Sequence, residues 1–71
     1  MISYRKAPGA FRTYYVAVDG ETVGLIQGSA PNRYGTIWSG RGRREDGENV
    51  EIANCLRRSD AGERLVAELR R

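Results

Sequence analysis

Arg41-Gly42-Arg43-Arg44 is the densest cluster of chemically committed side chains in the sequence, and its chemistry is anion recognition. A guanidinium offers a planar fork of donors that fits phosphate or carboxylate two bonds at a time. Arg12 and Arg33 can extend that cluster, and Tyr15 and Tyr34 add rings able to stack on bases or to anchor a protein interface. These seven residues are the candidate contact set. The competing reading is a solvated loop whose arginines pair with Glu45, Asp46 and the other acids. Eleven of the twelve cations are arginine and only Lys6 is lysine. That bias suits phosphate contact, and a G+C-rich genome produces it equally well.

Catalytic chemistry finds little material. Histidine is absent and Cys55 is the single cysteine, so no Ser-His or Cys-His dyad, no ordinary zinc site and no internal disulfide can be assembled. Asp19 and Glu21 read as hairpin-turn residues, while Glu45, Asp46 and Glu48 read as the acids that a helix N-terminus attracts. Gly40-x-Gly42 lacks the third glycine and the lysine of a phosphate-binding loop. The expectation is a binding protein, not an enzyme, with no cofactor and no metal.

The elements that position these residues must come from one small domain. With 71 residues, 39% hydrophobic and 30% charged, the chain has room for a single core spanning 1–71. Residues 1–44 carry seven cations against two acids, net +5, and residues 45–71 carry five against seven, net −2. No stretch approaches the length of a membrane span and the N-terminus lacks a signal-peptide core, so the expected location is cytoplasmic, where a lone thiol stays reduced.

Phe11 to Val18 and Glu21 to Gln27 flank Asp19-Gly20, the dipeptide of a two-residue hairpin turn. If Val18 pairs with Glu21, then Tyr14, Val16, Val18, Val23 and Leu25 share the core face. Phe11, Thr13, Tyr15, Ala17 and Ile26 share the other, unless a bulge at Gly24 turns Ile26 inward. Residues 28–35 read as a loop and 36–39 as a third short strand, with Trp38 and Tyr14 expected in the core and Tyr15 and Tyr34 exposed. Residues 40–44 then form a flexible basic loop. Acids precede arginines twice in the last third, which predicts a helix near 47–57 and another near 60–70, the second capped by Asp60 with Glu63 in capping-box spacing. A fourth strand at 49–53, where Val50 and Ile52 alternate with polar residues, competes with the first helix. The expected fold is α+β, a three-stranded antiparallel meander over about 11–40 packed against two short C-terminal helices over about 47–70.

Glu48 to Leu56, then Asp60, then Leu65-Val66-Ala67-Glu68-Leu69 resembles the C-terminal helical element of tiny bacteriophage and prophage proteins that place a short β-meander before it. Val50 stands where that pattern has alanine, and Arg57-Arg58 forms the break. The resemblance implies a phage-type protein of a bacterial host's cytoplasm. Proteins of the kind it resembles include anti-CRISPR inhibitors, which dock on a host protein or nucleoprotein complex, and small DNA-binding accessories. Arg41-Gly42-Arg43 is also similar to the centre of an AT-hook, with Arg44 in place of the following proline. An inhibitor is the leading expectation. The alternative is a basic double-stranded DNA-binding accessory that holds phosphates through the same arginines.

Overall fold

The computed structural model describes residues 1–33 and 35–71. Among these, five strands and one helix follow in order: β1 (Ile2–Lys6), β2 (Thr13–Val18), β3 (Glu21–Gly28), β4 (Trp38–Arg43), β5 (Asn49–Cys55) and α1 (Arg58–Leu69). The strands form one antiparallel sheet in the order of the chain, and α1 lies against β3, β4 and β5 on one face. This overturns the three-stranded, two-helix expectation. The sheet runs from residue 2 to residue 55 instead of 11 to 40.

The Asp19-Gly20 turn is as expected, with φ of 51° and 86°, positive at both central residues as a type I′ hairpin requires. Val18 pairs with Glu21. A bulge between Val16 and Ala17 leaves Val23 as the extra residue of β3, because Val16 pairs with Gly24 and Ala17 with Thr22. The extra residue shifts the alternation of β3. Ile26 turns into the core and is fully buried, whereas Leu25, expected inside, moves to the opposite face.

The segment 47–57 is not a helix. Asn49–Cys55 is a strand that buries Val50, Ile52 and Cys55 against α1 while Asn49 and Glu51 stay exposed. Period-two burial outweighs the charge order. The acids that suggested a helix N-terminus instead occupy the β4–β5 turn, where Gly47 has φ 91° and Arg44 N–H donates to Glu48 O at 2.8 Å. The stretch expected as a flexible basic loop, 40–44, is the second half of β4 followed by that turn. Its glycines and arginines alternate because one face of β4 meets the helix and the other meets solvent.

The helix forms where expected, but Asp60 is not its cap. It lies in the first turn, and Arg57 takes the N-cap position with no side-chain hydrogen bond. Ala61, Leu65 and Val66 seal the core over Val16, Ile26, Val50, Ile52 and Cys55. A rung of Tyr4, Val16, Gly24, Gly42 and Val50 crosses all five strands beneath the helix. Tyr4 packs so closely on Gly62 of α1 that a side chain there would have to displace the Tyr4 ring. Trp38 and Tyr14 close the margin of the core, ring centroids 6.0 Å apart.

Candidate functional site

The face of the sheet opposite α1 is covered by no element of the described chain. Its central rung is Arg5, Tyr15, Leu25, Arg41 and Glu51, one residue from each strand, fixed by the pairings Arg5↔Tyr15, Tyr15↔Leu25, Leu25↔Arg41 and Arg41↔Glu51. Arg43 follows Arg41 two positions along β4 on the same side and donates through Nε to Asn49 Oδ1 at 3.2 Å. Arg41 is exposed and forms no ion pair with any described residue, although Glu51 is its register partner. Arg5 lies with its guanidinium carbon 5.2 Å from the centroid of the Tyr15 ring, a cation–π contact that stiffens both side chains.

Charge is sorted by position in this fold. Within the strands, the only acids are Glu21 and Glu51, and Glu21 shares the helix side with its partner Val18. The remaining acids sit in the two tight turns at one end of the sheet or on α1. At the opposite end, the β1–β2 loop (7–12) and the β3–β4 loop (29–37) contain Arg12 and Arg33 and no acid at all. The exposed face and its loop end therefore carry positive potential, while the turn end carries the compensating acids.

The predicted contact residues separate in space. Arg41 and Arg43 lie on the same open face as Tyr15, which is half-buried, with Leu25 of β3 between Tyr15 and Arg41. Arg44 does not join them. Its Nε donates to Glu68 O at 2.9 Å and its terminal nitrogens approach Glu48 at 3.6 Å and Glu68 at 3.8 Å, so it fastens the β4–β5 turn to the end of α1. Arg12 sits in the β1–β2 loop with φ 47°, donates to Thr36 Oγ1 at 3.2 Å and lies over the Phe11 ring. Its Nε is buried without a partner among the described residues. Arg33 is exposed inside the small bridge that links Asn32 to Gly35. Tyr34 lies outside the described residues.

Arg5 and Leu25 belong to this face and escape the sequence reading. Arg5 was hidden because β1 was not recognised, and Leu25 because the bulge reverses its side. The signal for β1 was the alternation of Ile2 and Tyr4 with Ser3 and Arg5, too short to stand out beside the hairpin.

Two further concavities have their own explanations. The groove between the turn end and the C-terminal end of α1 mixes arginines with Asp19, Glu21, Glu45 and Asp46 and so presents no single sign of charge. The one beside Cys55 is lined by Asp60, Glu63 and Arg64, and the Arg64 terminal nitrogen lies 3.3 Å from the thiol sulfur. No cluster of His, Cys, Asp and Glu able to hold a metal occurs among the described residues, and none of their helices is long and apolar enough to cross a membrane. Comparison of the chain with protein-family models, curated proteins and solved structures finds no match.

Proposed function

We propose that the chain is a non-catalytic binding protein of a bacterial cytoplasm and that its open sheet face holds double-stranded DNA by the phosphate backbone. The observation that carries this reading is the sorting of charge. Arg5, Arg41 and Arg43 share a face on which Glu51 is the only carboxylate of the strands. A face sorted towards one sign of charge suits a duplex, which presents phosphates in rows. A phage origin belongs to the same proposal and rests on the C-terminal resemblance alone, of which only the part within α1 is helical, Asn49–Cys55 being a strand.

The inhibitor reading draws on a different observation on the same face. Tyr15 and Leu25 are half-buried neighbours at its centre, flanked by Arg5 and Arg41, which is the composition of a protein–protein hot spot with a charged rim. Pull-down from a bacterial lysate with and without nuclease separates the two. DNA binding is supported when the captured material is nucleic acid and nuclease abolishes capture. It fails when one protein is retained after nuclease treatment and moderate salt, and when Tyr15→Ala costs more affinity than Arg41→Ala.

A further inference from the structure

We infer that the open face straddles the major groove of B-form DNA, with Arg5 on the phosphates of one lip, Arg41 and Arg43 on those of the other, and Tyr15 and Leu25 over the base edges between them. This inference rests on the duplex-binding reading above and adds its geometry. The pairings place Arg5 and Arg41 at the two ends of a stretch that crosses β1, β2, β3 and β4. Three interstrand spacings make that about 14 Å between backbone positions. The major groove is about 12 Å wide and the minor groove about 6 Å. A backbone separation of that size matches the wider groove more closely than the narrower one.

The residues between the arginines fit what lies between the lips. Tyr15 and Leu25 form a cross-strand pair without charge, and the major groove is where a duplex exposes an apolar group, the C5-methyl of thymine. Tyr15 has one side of its ring engaged by Arg5, so it is poorly placed to receive an unpaired base as a stacking platform in a single strand. Duplex RNA is disfavoured for a separate reason. Its major groove is too deep and narrow for side chains, and its bases carry no thymine methyl.

The test measures binding of the full chain to a short A·T-containing duplex by fluorescence anisotropy across a range of salt. Arg5→Gln and Arg41→Gln should each reduce the log–log salt slope by about 0.9, and the double variant by about 1.8. Both positions are exposed, so circular dichroism should show the fold intact in each variant. Replacing thymine by uracil in the same duplex should weaken binding about fourfold for each methyl that Leu25 or Tyr15 covers, and Leu25→Ala should remove that sensitivity. Methyl green, a major-groove ligand, should compete, and netropsin, a minor-groove ligand, should not. Competition by netropsin without a thymine-to-uracil effect would overturn the straddle while leaving duplex binding in place, as would equal affinity for duplex RNA. An absence of any duplex binding at low salt would instead remove the reading on which the inference rests.

Discussion

Gly24 stands opposite Gly42 across β3 and β4, and the pair forms a floor on which Leu65 and Leu69 of α1 rest. A Cβ on Gly24 would come 3.0 Å from Leu65 Cδ2 and one on Gly42 would come 3.1 Å from Leu69 Cδ1. The missing side chains let the helix approach closely and allow the two leucines to bury against backbone. The same alternation that puts Gly40 and Gly42 under the helix puts Arg41 and Arg43 on the opposite face.

Filling that floor should therefore be costly. Gly42→Ala sets a methyl 2.8 Å from Val23 O, and Gly24→Ala sets one 2.5 Å from Arg41 O, backbone contacts that no rotamer change relieves. Each variant should lose about 1–3 kcal/mol in urea unfolding, against less than about 0.5 kcal/mol for Ser39→Ala on the open face. Equal urea midpoints for all three would mean that β3 and β4 do not approach this closely at Gly24 and Gly42.

The two tight turns should behave alike. Gly20 and Gly47 have φ of 86° and 91° and open space around them, so substitution there tests backbone conformation without a steric clash. Valine at either position should cost about 1 kcal/mol or more, read as a lowered melting temperature. An unchanged melting temperature for Gly47→Val would contradict the β4–β5 hairpin.

Arginines of one short run should differ in what their loss does. Arg44 is engaged by Glu48 and Glu68, so Arg44→Ala should lower stability by about 1 kcal/mol and leave the salt dependence of DNA binding alone. Arg41→Ala with Arg43→Ala should flatten the salt slope by about two contacts and leave the melting temperature nearly unchanged. A slope that responds equally to all three would place Arg44 in the interface.

Tyr4 supplies a pH dependence. Burial raises its phenol above the ordinary value of 10.0, Glu63 pushes it the same way, and Arg58 opposes them. A raised folded-state value means that the fold favours the neutral phenol, so this contribution to stability is complete below pH 10 and is lost as pH rises through the folded value. Absorbance titration at 295 nm should show a late-titrating component that disappears in Tyr4→Phe. If the late component survives that substitution, the assignment to Tyr4 is wrong.

What the sequence made legible were features carried by adjacent residues. Asp19-Gly20 specifies its turn through the backbone freedom of two neighbours, and the Val18↔Glu21 register follows from it. The final helix shows itself through Leu65, Val66 and Leu69 at helical spacing. Misread segments were those whose conformation depends on something distant. Gly40-Arg41-Gly42-Arg43 looks like a loop until the helix above it explains the glycines. Glu45, Asp46 and Glu48 suggest a helix start on dipole grounds, yet Asp46-Gly47 repeats the turn chemistry of Asp19-Gly20, and Val50 and Ile52 supply the alternation that should have followed from it.

For the candidate site, arginine density singled out residues 41–44 without revealing which of those arginines share a face. Direction depends on register, and register could not be extended past a strand taken for a loop. Arg44 separated from its neighbours because the turn carries it to the helix side, a partition visible only once β5 exists.

The order of the strands in the sheet also governs how the chain comes to be folded. Each strand pairs with its immediate successor, so every pairing closes a short loop at small entropic expense and can begin as soon as both partners leave the ribosome. Zippering along the sheet is local and fast. The apolar side is another matter, because Leu65 and Val66 of α1 are made after all five strands. Until residues 58–69 emerge, a nascent sheet displays Val16, Ile26, Val50 and Ile52 to the surroundings with nothing laid across them. Consolidation of the whole domain is thereby deferred to the arrival of its last element, and a chain stalled before it is the species most exposed to aggregation or proteolysis.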